Sequence, residues 1–68
     1  SALQSYAYFV AERFDQALTP EQALCVGTLL TNDSLEKGAL SDAQFDALVV
    51  KAFDECKVNS VAPATTGG

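Results

Sequence analysis

The chain contains no His, no Met and no Trp, and has only two Cys, two Pro and four basic side chains among its 68 residues. Each scarcity excludes something. Without His, the commonest general base and the commonest metal ligand are both missing. Arg13, Lys37, Lys51 and Lys57 are scattered along the chain, and nine acids bring the formal net charge to −5. Neutralising phosphates takes clustered Lys and Arg, so no nucleic-acid partner is expected. No run approaches the ~18 apolar residues that span a bilayer, and no basic-then-apolar leader opens the chain, so no membrane partner is expected. Cys25 and Cys56 are too few to mark a secreted cystine scaffold, and they leave the compartment open. Two thiols without His or a further Cys cannot close a structural zinc site. No glycine-rich loop is present to cradle a phosphate-bearing cofactor. The expectation is no metal, no cofactor and no catalytic residue.

Hydrophobic residues make up 49% of the chain and charged ones 19%, which suits a folded globule. The length allows one domain at most. A domain of ~60 residues buries only ~60% of its unfolded surface, so its core is marginal without a staple or a partner. Ser1 in place of Met is what a processed product, an excised piece or a chain with a trimmed start would show. The end at Gly67 and Gly68 fits either a proteolytic remnant or a flexible tail.

One pattern recurs three times: a small hydroxyl residue followed three places later by Gln. It occurs at Ser1/Gln4, Thr19/Gln22 and Ser41/Gln44. Each reads as a capping box, in which the hydroxyl accepts from a free backbone N–H and the glutamine reaches back. Pro20 follows Thr19 at the first helical position, where its missing N–H costs nothing. Glu21 and Asp42 place negative charge in a first turn, where the helix dipole favours it. Leu40 and Phe45 bracket the third box as a hydrophobic staple. Three starts predict three helices.

The spacing predicts the first helix over 2–17, with Leu3, Tyr6, Val10, Phe14 and Ala17 or Leu18 as its buried stripe. Tyr8 and Phe9 fall about 120–140° off that stripe. They either fold over the shoulder of the bundle or form an interface patch, since aromatics are enriched at contact centres. The second helix, over 20–31, is apolar nearly all round and must be covered on several sides. Gly27 at its middle reads as a close helix–helix contact. Residues 32–40 read as a connector, with one helical turn over 34–37 ended by Gly38. The third helix, over 42–57, carries Phe45, Leu48, Val49, Ala52 and Cys56 on one stripe, with Phe53 at its edge. Ala43, Ala47 and Val50 form a small-residue strip on the opposite side, open to a partner helix or to solvent.

If Asn32 faces Asp42 across an antiparallel hairpin, Cys25 lies level with about Leu48. Cys56 is then ~12 Å further along at 1.5 Å per residue, beyond the ~7 Å that a disulfide tolerates. Two free thiols are expected, packed as small apolar side chains. The carboxylates at Asp42 and Asp46, and at Asp54 and Glu55, read as solvated acids, because acid–base work needs a dry pocket.

Residues 33–45 read Asp-Ser-Leu-Glu-Lys-Gly-Ala-Leu-Ser-Asp-Ala-Gln-Phe. This segment resembles an EF-hand loop. The family's glycine matches Gly38, its apolar eighth residue Leu40, and the following aromatic Phe45. Leu35 and Lys37 stand where the family has oxygen donors, and Gln44 replaces the bidentate acid. The resemblance implies a vestigial helix–loop–helix that does not bind calcium.

The fold expected is all-α: a small three-helix bundle over 1–58, with short connectors and an extended, flexible C-terminal tail over 59–68. The function expected is a non-enzymatic protein–protein interaction module, self-associating or docking on a larger partner. Tyr8, Phe9, Ala43, Ala47 and Val50 are the candidate partner-binding residues. Two alternatives are the vestigial EF-hand and a small acidic inhibitor or adaptor of viral or phage type. An inhibitor of that kind would act through Asp46, Asp54 and Glu55.

Overall fold

The computed structural model describes residues 1–58, so the expected tail over 59–68 lies outside the described residues. The described chain is all-helical: α1 (Ala2–Arg13), α2 (Pro20–Lys37) and α3 (Asp42–Glu55). All three expected capping boxes are formed, with the hydroxyl and glutamine of each pair bonded reciprocally. Two of the glutamines do a second job. Gln4 Nε2 donates to the Pro20 carbonyl at 3.0 Å, and Gln22 Nε2 donates to the Lys57 carbonyl at 3.0 Å. A glutamate would close the same box but has no N–H to offer. The capping side chains therefore also tie the start of α1 to α2, and the start of α2 to the end of α3.

Helix lengths depart from the sequence expectation. The first helix stops at Arg13 rather than near residue 17, because Asp15 takes a positive φ of 57°. Gln16 N–H then donates to the Ala11 carbonyl at 3.0 Å, and Asp15 N–H to that of Glu12 at 3.1 Å. That pair of bonds is the Schellman closure. The third helix ends the same way, at Glu55 rather than 57. Lys57 has φ 62°, Val58 N–H donates to the Phe53 carbonyl at 2.9 Å, and Lys57 N–H to that of Asp54 at 3.2 Å. Val58 and Phe53 are both buried, which supplies the apolar contact that accompanies this motif.

Neither left-handed residue is Gly, and the conformation costs an L-residue about 1–2 kcal/mol. Lys57→Gly removes that cost, partly offset by the greater freedom glycine has when unfolded, and keeps the carbonyl that Gln22 uses. It is expected to stabilise the domain by about 0.5–1 kcal/mol. The check is the midpoint of urea unfolding, and a lower midpoint would show that the Lys57 side chain itself contributes.

The second helix is longer than expected, reaching Lys37 instead of Thr31. The expected turn over 34–37 is present but continuous with α2, and Gly38 (φ 77°) ends it while its N–H donates to the Ser34 carbonyl. The segment resembling an EF-hand loop is therefore the end of α2, a four-residue connector and the first turn of α3.

This length corrects the expectation of free thiols: Cys25 and Cys56 form a disulfide, with Cα atoms 5.9 Å apart. With Lys37 facing Asp42, Cys25 lies twelve residues back, level with Asp54. Cys56 is then only ~3 Å further on at 1.5 Å per residue.

At one end of α1, Leu3 packs on Gly27, and Gln4 reaches Pro20. At the other, Arg13 shares a cleft with Ser34 and Gly38. Thus α1 and α2 run in the same sense, and residues 14–19 bring the chain back. The core fills the space between the three helices. It consists of Ala7, Val10 and Ala11 of α1, Ala23, Val26 and Leu30 of α2, and Val49, Ala52 and Phe53 of α3, closed by Cys56 and Val58. Phe14 and Leu18 pack on it from the return segment, and the Phe14 ring meets Phe53 edge-on with centroids 5.7 Å apart. Ala7 and Ala11 take the central places on α1 while Tyr6 turns outward, and on α3 Phe53 is central rather than marginal.

Candidate functional site

Several large apolar side chains are left outside this core. On α1, Phe9 is 64% exposed and Tyr8 41%. Val10 and Ala11, next along, face inward, so Phe9 lies opposite the buried stripe at ~100° per residue. On α3, Val50 is half exposed, and Ala43 and Ala47 are exposed beside it, as the strip argument expects. The five candidate residues thus lie outside the core, on two different helices.

A helix as apolar as the first half of α2 predicts cover on several sides. Instead Leu24 is about half exposed, Thr28 is exposed, and Leu35 is the most open large apolar side chain, at 79%. Leu24, Thr28, Thr31 and Leu35 recur at four-three-four spacing, which places them on one face. That spacing was legible in the sequence. It was masked because Ala23, Cys25, Val26, Leu29 and Leu30 crowd the first half of this helix, and because Leu35 lies beyond the helix end expected at residue 31.

Two grooves carry apolar floors with charged edges. The larger, about 530 Å³, lies beside the disulfide and is lined by Glu21, Leu24, Cys25, Thr28, Leu29 and Glu55. The second, about 360 Å³, lies towards the α2–α3 connector and is lined by Lys37, Leu40, Gln44, Ala47, Leu48 and Lys51. One edge set is acidic and the other basic. Ala47 is the candidate residue that lines a groove.

A third cleft, about 240 Å³, gathers Arg13, Ser34, Asp42 and Asp46 where the helix ends meet. Arg13 Nη2 stands 3.8 Å from Asp46 Oδ1, with both side chains about half exposed. Such a pair contributes little, because water screens it. Asp46 Oδ1 itself is tucked away from solvent without a hydrogen-bond partner, while the rest of its side chain is open. Asp42, Asp54 and Glu55 are exposed, so neither acidic pair occupies a dry pocket.

Among the described residues, no group of three or more Cys, Asp or Glu side chains converges to hold a metal ion. Among the same residues, no helix is long and apolar enough to cross a membrane. No family model matches the chain, and no curated protein or solved structure shows significant similarity to it.

Proposed function

We propose that the chain is a non-enzymatic protein–protein interaction module that self-associates or docks on a larger partner. The observation that carries this reading is the set of large apolar side chains held outside the core on every helix. They are Tyr6, Tyr8 and Phe9 on α1, Leu24 and Leu35 on α2, and Val50 on α3. Single exposed apolar residues are ordinary, but six on a domain this small leave few faces without one. Aromatic anchors such as Phe9 are the type that dominates binding energy at contact centres.

Residues kept for binding rather than folding separate the two properties when substituted. Phe9→Ser, Leu24→Ser and Val50→Ser are each expected to change unfolding free energy by less than about 0.5 kcal/mol, as surface positions do. At least one should weaken self-association by tenfold or more, the effect of losing a contact-centre side chain. Light scattering from micromolar to millimolar concentration, paired with urea unfolding, reads both quantities. A mass that stays monomeric throughout removes self-association. Variants that lose stability in step with association would assign these side chains to the fold instead.

A further inference from the structure

We propose that copies of this chain associate head to tail, with the acid-edged groove of one copy taking the base-edged groove of the next. This rests on the interaction-module reading and names the occupant of the grooves as a second copy. The two grooves lie towards opposite ends of the α2–α3 hairpin. The acidic one is beside Cys25 and Glu55, near the start of α2 and the end of α3. The basic one is beside Lys37 and Leu40, at the connector.

Their chemistry is complementary term by term. Leu24 and Leu29 would face Leu40, Ala47 and Leu48, while Glu21 and Glu55 would face Lys37 and Lys51. Among the described residues, none of these four charges is held in an ion pair; the pair that does form joins Arg13 and Asp46. A two-fold dimer across either groove would put like charges against each other, which disfavours it. A heterologous contact pairs opposite charges and continues as an open chain unless the rotation closes it into a ring. The overall charge of −5 opposes assembly at long range, so association should be weak and strengthened by moderate salt, until salt also screens the local pairs.

The test uses two charge-reversed proteins. One carries Glu21→Lys and Glu55→Lys, and the other Lys37→Glu and Lys51→Glu. Each alone should associate at least about tenfold more weakly than the parent, since attraction becomes repulsion at one surface. Mixed in equal amounts, one protein presents two basic grooves and the other two acidic ones, so every contact between unlike copies pairs opposite charges and association should return as an alternating chain. Combining all four reversals in one chain should restore association.

Glu21 lies in the first turn of α2, where a Lys opposes the helix dipole. Should that variant unfold, Glu55→Lys against Lys51→Glu forms the second mixing pair, and circular dichroism verifies the fold of each. A mixture that stays monomeric, or reversed proteins that associate like the parent, would overturn the head-to-tail arrangement. In the latter case self-association persists and the module reading stands with its interface elsewhere. A parent that never associates overturns both self-association and this arrangement.

Discussion

Reduction of the Cys25–Cys56 bond is expected to lower the unfolding free energy by about 3.7 kcal/mol, the chain-entropy value for a closed loop of this size. The bond joins residues 31 apart in sequence. That separation lies between the short loops for which the same relation gives about 3 kcal/mol and the hundred-residue loops for which it gives about 4.7. The comparison that matters is with the whole. At about 0.05–0.15 kcal/mol per residue, a domain of this length has roughly 3–9 kcal/mol in total.

The bond therefore accounts for a large share of the stability of a core whose central side chains are mostly Ala and Val. It also fixes the α2–α3 register, because it joins the two helices at the end remote from their connector. The measurement is thermal unfolding by circular dichroism with and without a phosphine reductant. A fall in Tm of about 15–30 °C is expected, at 4–8 °C per kcal/mol for small domains. The Cys25→Ala/Cys56→Ala double variant should reproduce it without reductant. A fall below about 5 °C would mean that packing and the Gln22–Lys57 hydrogen bond hold the register without help.

The same bond shows where sequence reasoning loses information. The three helix starts were legible because a capping box is a local, stoichiometric device: a hydroxyl, a glutamine and two backbone N–H groups, all within four residues. Helix ends were not. Asn32, Asp33 and Ser34 favour turns because their side chains compete for backbone hydrogen bonds, yet here all three are helical and α2 runs on to Gly38. What ends the helix is Gly38, at φ 77°, rather than the turn-favouring residues before it.

The opposite error occurred in α1, where Phe14 and Leu18 extend an apolar period that looks helical. Both do pack on the core, but from the non-helical return that begins at Phe14. A left-handed turn at Asp or Lys gives no warning of the kind that Gly38 gives. The grooves depend on the register of α2 against α3, so they became visible only once that register was set. The five partner-binding candidates needed only helical periodicity, and all five lie outside the core.

Replacing Gly27 with Ala should cost about 2 kcal/mol, even though Ala is the better helix former by roughly 1 kcal/mol. The sign depends on what the added methyl meets. Gly27 is buried in the middle of α2, and a Cβ there would collide with the Leu3 carbonyl oxygen and lie 2.9 Å from the carbonyl carbon. Those are backbone atoms, so no rotamer change can relieve the clash. The Leu3 Cβ, at 3.2 Å, is the third neighbour and belongs to the same residue. Relief requires α1 to move away as a unit. That loosens Ala7, Val10 and Ala11 against the core and lengthens the 3.0 Å hydrogen bond from Gln4 to the Pro20 carbonyl. Overpacking of this kind costs about 1–3 kcal/mol, and losing the hydrogen bond adds about 1, against which the propensity gain is the smaller quantity. Thr28→Ala is the control, because it makes the same kind of helix-favouring change one position along, on an exposed side chain. It should leave stability unchanged or raise it slightly, while Gly27→Ala lowers Tm by about 8–16 °C. If both variants were stabilised, the close approach of α1 to α2 at Gly27 would be wrong. The parallel placement of α1, which rests partly on that contact, would fall with it.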